Sequence, residues 1–321
     1  MIEFDIDWYG TYNRRSAIAD YLELMALGGN NKSKEDLSDI IQDGANWVTL
    51  LNESIAYSEP ENRIEDDREF DDTDLSLLQS EVETRVDDVQ NVLRQRRDLL
   101  GDRYPFELDT DDGFMVCVRS TEHGPYLALL ALTICHASGV FGLPRLPAYL
   151  FEDYLEESLN SYGLKTCCLG SRARKGGKFQ DTLVDACRVV GLIADPGKSP
   201  HRKRANEEGS DTVTNLWPDD PRLGGVQFVG QATCAKSNSW KSKLMEPPVG
   251  HWEEWLLRKL APIAFLSVPH HVEEATRSYL VSVDRKRDVL DRIRLAMVDR
   301  ELLPDECLAI DIIMKHGATG F

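Results

Sequence analysis

The fold is decided by the stretch Glu208-Gly-Ser-Asp-Thr-Val-Thr-Asn-Leu-Trp217, which is followed by Gly225-Val-Gln-Phe-Val-Gly-Gln-Ala-Thr-Cys-Ala-Lys236. The apolar and β-branched residues in both segments predict two strands. Asp211 opens the first strand, and Gln231 lies at the far end of the second. In an antiparallel hairpin these two positions come close together, because one strand opens where its partner closes.

The donor atoms at this end of the predicted hairpin suit a hard cation. A carboxylate and a side-chain amide oxygen are ligands that Mg²⁺ and Mn²⁺ accept. Such an ion activates water and neutralises charge on a phosphodiester during hydrolysis. An aspartate after Gly-Ser is also a common turn residue. The sequence therefore predicts a metal site at Asp211 and Gln231, with a plain structural turn as the alternative.

The rest of the chain divides by pattern into two parts. Residues 1–145 are predicted to be mainly helical and acidic, with helices at 14–27, 37–57 and 74–100 and a buried helix at 125–137. A strand or a hairpin around a turn at 111–113 is predicted at 106–118. Residues 146–321 alternate helices and strands, at 146–162, 164–169, 179–193, 212–217, 225–232, 251–260 and 263–268. This alternation predicts an α/β domain.

Residues at the ends of two predicted helices fix their bounds. Gly28-Gly29 is a natural C-terminal cap for the first helix. Asp74 is the expected start of the long helix at 74–100, and Gly101 is its expected end. Apolar residues at spacings of three and four along that helix indicate a packed face. Packing inside the helical region is favoured over an intermolecular coiled coil.

The charge of the chain bears on nucleic-acid binding. The formal net charge of −18 argues against it for the chain as a whole, because a phosphate backbone selects basic surface. Acidic residues crowd the first half, as in Asp71-Asp72-Thr73-Asp74, whereas basic runs appear at 172–178 and 201–204. Local charge decides contact, so DNA binding stays open.

Cysteine usage and the N-terminus indicate a compartment. The seven cysteines form no C-x-x-C pair, which indicates neither a structural zinc site nor a disulfide framework. The N-terminus carries no signal-peptide pattern, and no apolar run approaches about 18 residues. The sequence is therefore interpreted as that of a cytoplasmic protein without a membrane partner.

The spacing around Gln231 resembles a known nuclease family. A Gly-x-Asp-x-Val motif at 209–213 precedes Gly230-Gln231-Ala232-Thr233, which is followed by Trp240 and Lys243. This order resembles the branch of the PD-(D/E)XK nuclease superfamily in which glutamine replaces the usual acidic residue. The similarity covers roughly residues 146–300 and includes Trp252-x-x-Trp255 and Asp291-Arg292-x-Arg294-Leu295.

The resemblance implies a fold and a set of roles. The fold would be restriction-endonuclease-like, a mixed sheet flanked by helices and preceded by a helix bearing a carboxylate, which Glu152 matches. Asp211 would bind the catalytic metal, Glu152 would complete the acidic cluster, and Gln231 would supply a neutral oxygen ligand. A lysine would orient or deprotonate the attacking water. Because Glu152 lies among other acidic residues, a solvated helix face is its alternative role.

The lysine position departs from the family pattern. Thr233 stands two residues after Gln231, where the family has lysine. Lys243 is the best substitute through its spacing from Trp240, and Lys236 is second. The lysines at 236, 241 and 243 have an alternative role as phosphate contacts.

The predicted reaction is metal-dependent hydrolysis of phosphodiester bonds by an endonuclease, and the resemblance alone implies DNA as its substrate. The resemblance implies an effector of prokaryotic defence against phages or plasmids, in which region 1–145 would bind other protein subunits or shield the site. A homo-oligomer would supply two active sites for the two strands of a duplex. Two alternatives stay open: a nucleic-acid-binding module without catalysis, and a protein-interaction subunit that uses the α/β domain as scaffold.

Overall fold

The computed structural model describes residues 2–3, 13–30, 33–43, 72–109, 115–139, 142–169, 179–195, 209–219, 225–256, 261–284, 287–316 and 318–319. Three predicted features lie outside these ranges: the two basic runs, the turn at 111–113, and the part of the predicted helix 37–57 that follows residue 43. The chain divides into two compact units, one formed by Met1–Asp5, Arg15–Thr121 and Met314–Phe321 and the other by Ile6–Arg14 and Glu122–Ile313. The domain boundary expected after residue 145 stays a prediction.

The first unit combines helices with two short ladders. Its helices are α1 (Arg14–Leu27), α2 (Lys34–Asp43) and α3 (Asp72–Leu100). Strand β1 (Ile2–Glu3) pairs in parallel with β9 (Ala318–Thr319). The predicted hairpin is present as β2 (Phe106–Asp109) and β3 (Met115–Val118), which pair antiparallel.

Helix α1 ends as the sequence predicts. Gly29 has a φ of +75°, a conformation that glycine adopts without a steric penalty. The amide of Asn30 donates to the carbonyl of Met25 at 2.9 Å, which is the long hydrogen bond of a left-handed C-terminal cap.

Helix α3 packs inside the first unit. It begins at Asp72, so the prediction that Asp74 caps its start was wrong. It ends before Gly101, as predicted, where φ is +55°. The packed face is confirmed by buried apolar residues at the predicted spacing, Val82, Val86, Val89 and Leu93.

A buried ion cluster joins α3 to α1. Arg96 lies 2.8 Å from Asp20 and 2.9 Å from Glu23, and all three side chains are buried. Tyr104 donates its hydroxyl to Glu23 at 2.6 Å. Because a buried charge without a partner is costly, this cluster favours one alignment of the two helices.

The second unit is built on a mixed five-stranded sheet with the order β4–β5–β6–β7–β8. Strands β4 (Lys165–Cys168), β5 (Thr212–Asn215) and β6 (Gln227–Ala232) form an antiparallel meander. Strands β7 (Ile263–Ser267) and β8 (Arg287–Leu290) continue the sheet in parallel. The predicted α/β class is therefore confirmed.

Helices accompany this sheet along the chain. They are α4 (Pro125–Ala137), α5 (Pro147–Ser161), α6 (Phe179–Val189), α7 (Trp240–Met245), α8 (Val249–Trp255), α9 (Glu274–Val283), α10 (Arg292–Ala296) and α11 (Pro304–His316). Helix α6 ends four residues earlier than predicted. The bounds of α7, which buries Trp240 and Leu244 one turn apart, were not predicted from the sequence. Elements after β7 were not predicted.

The two faces of the sheet carry different residues. On one face Val213 and Val229 pack into a core with Phe179 and the tryptophans of α8. On the other face Phe228 and Phe265 line a cavity of about 500 Å³. None of the helices within the described ranges is both long and apolar enough to cross a membrane.

Candidate functional site

Asp211 and Gln231 lie opposite each other at one end of the β5–β6 hairpin. Thr212 is paired with Gly230, and one further step in this register places Asp211 across from Gln231. The amide of Asp211 donates to the carbonyl of Gly230 at 2.7 Å. The carboxylate of Asp211 accepts from the amide of Ala232 at 2.8 Å. The predicted hairpin thus brings the two residues together.

Local hydrogen bonds fix the entry into β5. The hydroxyl of Ser210 donates to the carbonyl of Thr212 at 2.9 Å and to that of Gly230 at 3.1 Å. All three residues are buried. A buried hydroxyl that satisfies backbone carbonyls in this way stabilises the turn. The short polar residues before and after Asp211 therefore serve to hold its backbone.

Gly230 is required by the packing behind Gln231. A Cβ atom at this position would lie 2.6 Å from the hydroxyl oxygen of Thr212 and would overlap the ring of Phe265. Such distances do not occur between real atoms, so any larger residue would displace its neighbours. The glycine of the Gly-Gln motif is thus explained by close packing on the face opposite Gln231.

Asp211 and Gln231 provide oxygen atoms of the type that bind a hard cation. Asp211 and Gln231 are buried, with 5% and 7% of their surface exposed. The side-chain amide of Gln231 makes no hydrogen bond within the part of the chain that the structure describes. An amide oxygen of this kind is a ligand that a hard cation accepts. Across the described ranges, no three side chains of His, Cys, Asp or Glu are grouped as a metal site.

Glu152 approaches the same end of the sheet from α5. It is buried, and its carbonyl accepts from the thiol of Cys168 at 3.6 Å. Burial raises the pKa of Cys234, and the carboxylate of Glu152 raises it further. Cys168 is paired with Thr212, and Cys234 lies three residues after Gln231. Glu152 therefore lies near the strand ends that carry the other two predicted ligands.

Thr233, at the family's lysine position, has a structural task. Its hydroxyl accepts from the amide of Ala235 at 3.1 Å, and its amide donates to the carbonyl of Ser267 at 3.0 Å. The residue closes a short turn beyond β6 and holds that turn to the end of β7. No cation stands at this position, so a lysine for the site has to come from elsewhere.

Helix α7 carries Lys243 to the side of the Asp211 turn. Gly209 has a φ of +65°, and a Cβ atom there would lie 2.6 Å from the carbonyl carbon of Glu246. Glu246 follows the last residue of α7, and its carboxylate lies 3.0 Å from the ammonium group of Lys243. The main chain of Glu246 thus contacts the residue two positions before Asp211. Lys236 lies earlier, exposed in the turn that precedes the helix.

Two anchors hold α7 in place. At its start, the indole of Trp240 donates to the carbonyl of Ala235 at 2.8 Å. At its end, the buried Arg287 of β8 donates to the carbonyls of Leu244 at 2.6 Å and Pro247 at 3.0 Å. A guanidinium at a helix C-terminus also favours the negative end of the helix dipole. Neither Arg287 nor Glu246 was identified from the sequence, because their importance depends on contacts between residues far apart in the chain, such as the 43 positions between Arg287 and Leu244.

The remaining residues of the resemblance have structural roles. Trp252 and Trp255 are buried with ring centroids 5.4 Å apart and pack against Phe179. Asp291 caps α10 by accepting from the amide of Arg294 at 3.2 Å. The buried Arg292 donates to the carbonyl of Pro269 at 2.9 Å. These contacts explain the residues by packing and capping.

The two adjacent histidines lie close to the end of β7 and are both buried. One ring nitrogen of His270 lies 3.2 Å from the carbonyl of Cys234, and its ring packs 5.5 Å from that of Trp240. The main chain of His271 accepts from the side chain of Asn13 at 2.9 Å. The contacts of His270 link the turn after β6 to α7.

Comparisons of the chain with family models, with curated proteins and with solved structures find no match.

Proposed function

We propose that this protein is a metal-dependent endonuclease that hydrolyses phosphodiester bonds of DNA. The observation that carries the proposal is the pairing of Asp211 with Gln231 across the end of the β5–β6 hairpin. The pair offers a carboxylate and an unbonded amide oxygen, which are donors for Mg²⁺ or Mn²⁺. The burial of both residues lowers the local dielectric constant and strengthens their interaction with a cation.

A restriction-endonuclease-like fold is part of the proposal. Its support is the mixed sheet accompanied by helices and the carboxylate-bearing helix α5, which precedes the first strand of that sheet. Glu152 on this helix approaches the strand ends that carry Asp211 and Gln231. This is the arrangement that the resemblance in the sequence implies for a third ligand.

Each residue of the site has a distinct part in the proposed reaction. Asp211, Gln231 and Glu152 would hold the ion, which when bound lowers the pKa of water and neutralises phosphate charge. The hydrogen bond from Ala232 fixes one carboxylate oxygen of Asp211 and so orients the other. Lys243 would leave Glu246 to orient the attacking water and stabilise the developing charge.

The test is cleavage of supercoiled plasmid DNA by the purified full chain in Mg²⁺ or Mn²⁺. Asp211→Asn is the informative variant, because its amide oxygen can still accept from Ala232 while the charge is lost. The matched control is Asp181→Asn, which changes an exposed aspartate on α6. Nicking by the parent and the control, but not by Asp211→Asn or in EDTA, supports the proposal. Equal nicking by Asp211→Asn contradicts it.

A second function, nucleic-acid binding without catalysis, is favoured by one observation. Thr233 occupies the usual lysine position, and the nearest substitute, Lys243, is engaged by Glu246 at 3.0 Å. A module of this kind would bind DNA in Mg²⁺ and leave it intact at every protein concentration. Binding without cleavage would therefore select this alternative over the nuclease.

The biological context is proposed from the resemblance alone. The protein would act as an effector of prokaryotic anti-phage or anti-plasmid defence, and its acidic first region would bind other protein subunits. A homo-oligomer would cut both strands of a duplex at once. Linear plasmid formed without a nicked intermediate supports this arrangement, and nicked circles as the sole first product contradict it.

A further inference from the structure

A short basic segment stands out in an acidic chain. Residues 236–243 contain three lysines and no acidic residue, whereas the whole chain has a formal net charge of −18. The segment comprises the turn after β6 and the first part of α7. We call Lys236, Lys241 and Lys243 the basic ridge. The segment follows the strand of Gln231 in the chain, and Glu246, just past its helix, contacts Gly209, two positions before Asp211.

Two lysines of the ridge are exposed, whereas Lys243 is half-buried and pairs with Glu246. Lys236 is exposed and has no ion pair with any residue in the described ranges. Lys241 is also exposed, and its ammonium group lies 5.4 Å from the ring centroid of Tyr279. Tyr279 belongs to α9 and is 50% exposed. A cation over an aromatic face loses some conformational freedom and keeps its positive charge.

The ridge extends across both flanks of α7. Trp240 and Leu244 form the buried stripe of the helix. Lys241 points to the flank near Tyr279, and Lys243 to the flank near Glu246. A helix with its side chains is about 10–12 Å wide, whereas phosphate charges recur about every 3.4 Å along the axis of one DNA strand. A ligand that touches both flanks therefore spans several phosphates.

We propose that the basic ridge binds the sugar-phosphate backbone of a polynucleotide and leads it to Asp211 and Gln231. This rests on the proposed function for the nature of the substrate. The ridge provides contacts to phosphate, which position a strand and carry no sequence information. Tyr279 holds Lys241 in place and is a positioning residue.

The experiment measures binding separately from cleavage. The full chain with Asp211→Asn is titrated in Ca²⁺ against fluorescent 30-nucleotide probes of duplex DNA, single-stranded DNA and RNA over a range of salt concentrations. Lys236→Gln and Lys241→Gln are then added together in the same background. Lys165→Gln serves as the matched control, because Lys165 is exposed and pairs with Asn215 at the opposite end of β5 from Asp211.

The expected result is a loss of affinity that salt analysis can assign to the lysines. The double change should weaken binding at low salt by about tenfold or more and reduce the slope of log K against log salt by about 0.9 for each lysine in contact with duplex DNA. Lys165→Gln should alter neither quantity. The affinities for the three probes identify which polynucleotide the ridge prefers.

Other outcomes separate this inference from the nuclease proposal. An unchanged slope in the double variant, or no binding of any probe at low salt, overturns the inference. If binding depends on the ridge but the plasmid stays intact in the cleavage assay, the nuclease proposal is contradicted and the inference that the ridge binds a polynucleotide is supported. Tyr279→Phe should retain full affinity, whereas Tyr279→Ala should weaken binding in a variant whose melting temperature is unchanged.

Discussion

A Cβ atom placed on Gly209 would lie 2.6 Å from the carbonyl carbon of Glu246, so the main chains of these two residues are in direct contact. This contact joins the turn before Asp211 to the end of α7. It matters for the proposed function because α7 carries Lys243, which lies 3.0 Å from the carboxylate of Glu246. The glycine of the Gly-x-Asp motif is thus explained by the need to bring a helix end close to a strand start.

Substitution of Gly209 by alanine should destabilise the protein for two reasons. Alanine at a positive φ is strained, which costs about 1 kcal/mol, and its methyl group would push the end of α7 away, which costs about 1–3 kcal/mol more. Gly163→Ala separates the two effects, because Gly163 has a φ of +88° and open space around its Cα. Urea unfolding should show a larger loss for Gly209→Ala. Equal losses would mean that the contact with Glu246 adjusts without cost.

Gly230→Ala should be destabilising, chiefly because of the ring of Phe265. The added methyl group would overlap the side chain of Phe265, an overpacking cost of about 1–3 kcal/mol. Phe265→Leu removes the ring edge, so Gly230→Ala should cost at least about 1 kcal/mol less in that background. A double-mutant cycle of unfolding free energies measures this coupling. Additive losses would place the strain elsewhere, for example at Thr212.

The hairpin could be predicted from sequence because its signals are local. Alternating apolar residues, the glycine turn before Asp211 and the ordinary pairing of neighbouring strands place Asp211 near Gln231 without further information. The glycine cap of α1 was predictable for the same reason. The start of α3 was missed by two residues, since helix ends are the least certain feature of a sequence pattern.

The surroundings of the site could not be predicted because they depend on distant contacts. Helix α7 has six residues, too few for a periodic pattern to stand out. The hydrogen bond from Arg287 to the carbonyl of Leu244 links residues 43 positions apart. The local sequence around Lys243 does not indicate that the main chain of Glu246 contacts Gly209. Such pairings arise only when the sheet order is known.

Arg287→Met should loosen α7 more than it disturbs the rest of the unit. The change removes the donors to Leu244 and Pro247 and the ion pair with Asp284 at 3.0 Å. Hydrogen bonds from a charged group are worth about 1.5–3 kcal/mol, so the loss of stability should be about 2–3 kcal/mol. Hydrogen exchange should rise in peptides covering residues 240–247.

Arg277→Met is the control for this prediction. Arg277 forms an ion pair within α9 with Glu274 at 2.9 Å. Surface pairs of this kind contribute about 0–1 kcal/mol, so the control should change stability little and leave exchange at 240–247 as it was. If both variants behave alike, Arg287 does not hold α7. Arg287→Lys should recover only part of the stability, because lysine lacks the fork that reaches two carbonyls.

The carboxyl of Asp291 should make stability depend on pH in a defined direction. Burial raises its pKa from the ordinary value of 3.8, although hydrogen bonds from the amides of Val272 and Arg294 oppose this rise. The unfolded chain therefore loses this proton at lower pH than the folded protein. The contribution of Asp291 to stability falls as pH increases from 3.8 through the raised pKa and is constant above it.

The comparison of the parent with Asp291→Asn isolates this group. The difference in unfolding free energy, parent minus variant, should decrease as pH rises through that window, because only the parent titrates there. Urea unfolding at several pH values from about 3.5 to 7 gives the curve. A difference that increases with pH would mean that the amides of Val272 and Arg294 outweigh burial, and that the folded pKa is depressed.

The two candidate lysines should differ in their effect on cleavage. Lys243 lies on α7, which ends next to a residue that contacts the turn before Asp211, whereas Lys236 is exposed in the preceding turn without an ion pair in the described chain. A group that assists proton transfer contributes about 10²–10⁴-fold to a rate. Lys243→Gln should therefore lower the single-turnover rate of DNA cleavage by about 10²-fold or more, with saturating enzyme to remove effects on binding.

Lys236→Gln should instead weaken binding and leave the saturated rate nearly unchanged, since a phosphate contact acts before the chemical step. Glu246→Gln is a third informative variant, because it removes the ion pair of Lys243 and keeps the size of the side chain at position 246. That variant should retain cleavage, because it leaves Lys243 in place and removes only its carboxylate partner. Equal rates for Lys243→Gln and the parent would show that neither the ion pair nor its lysine takes part in the reaction.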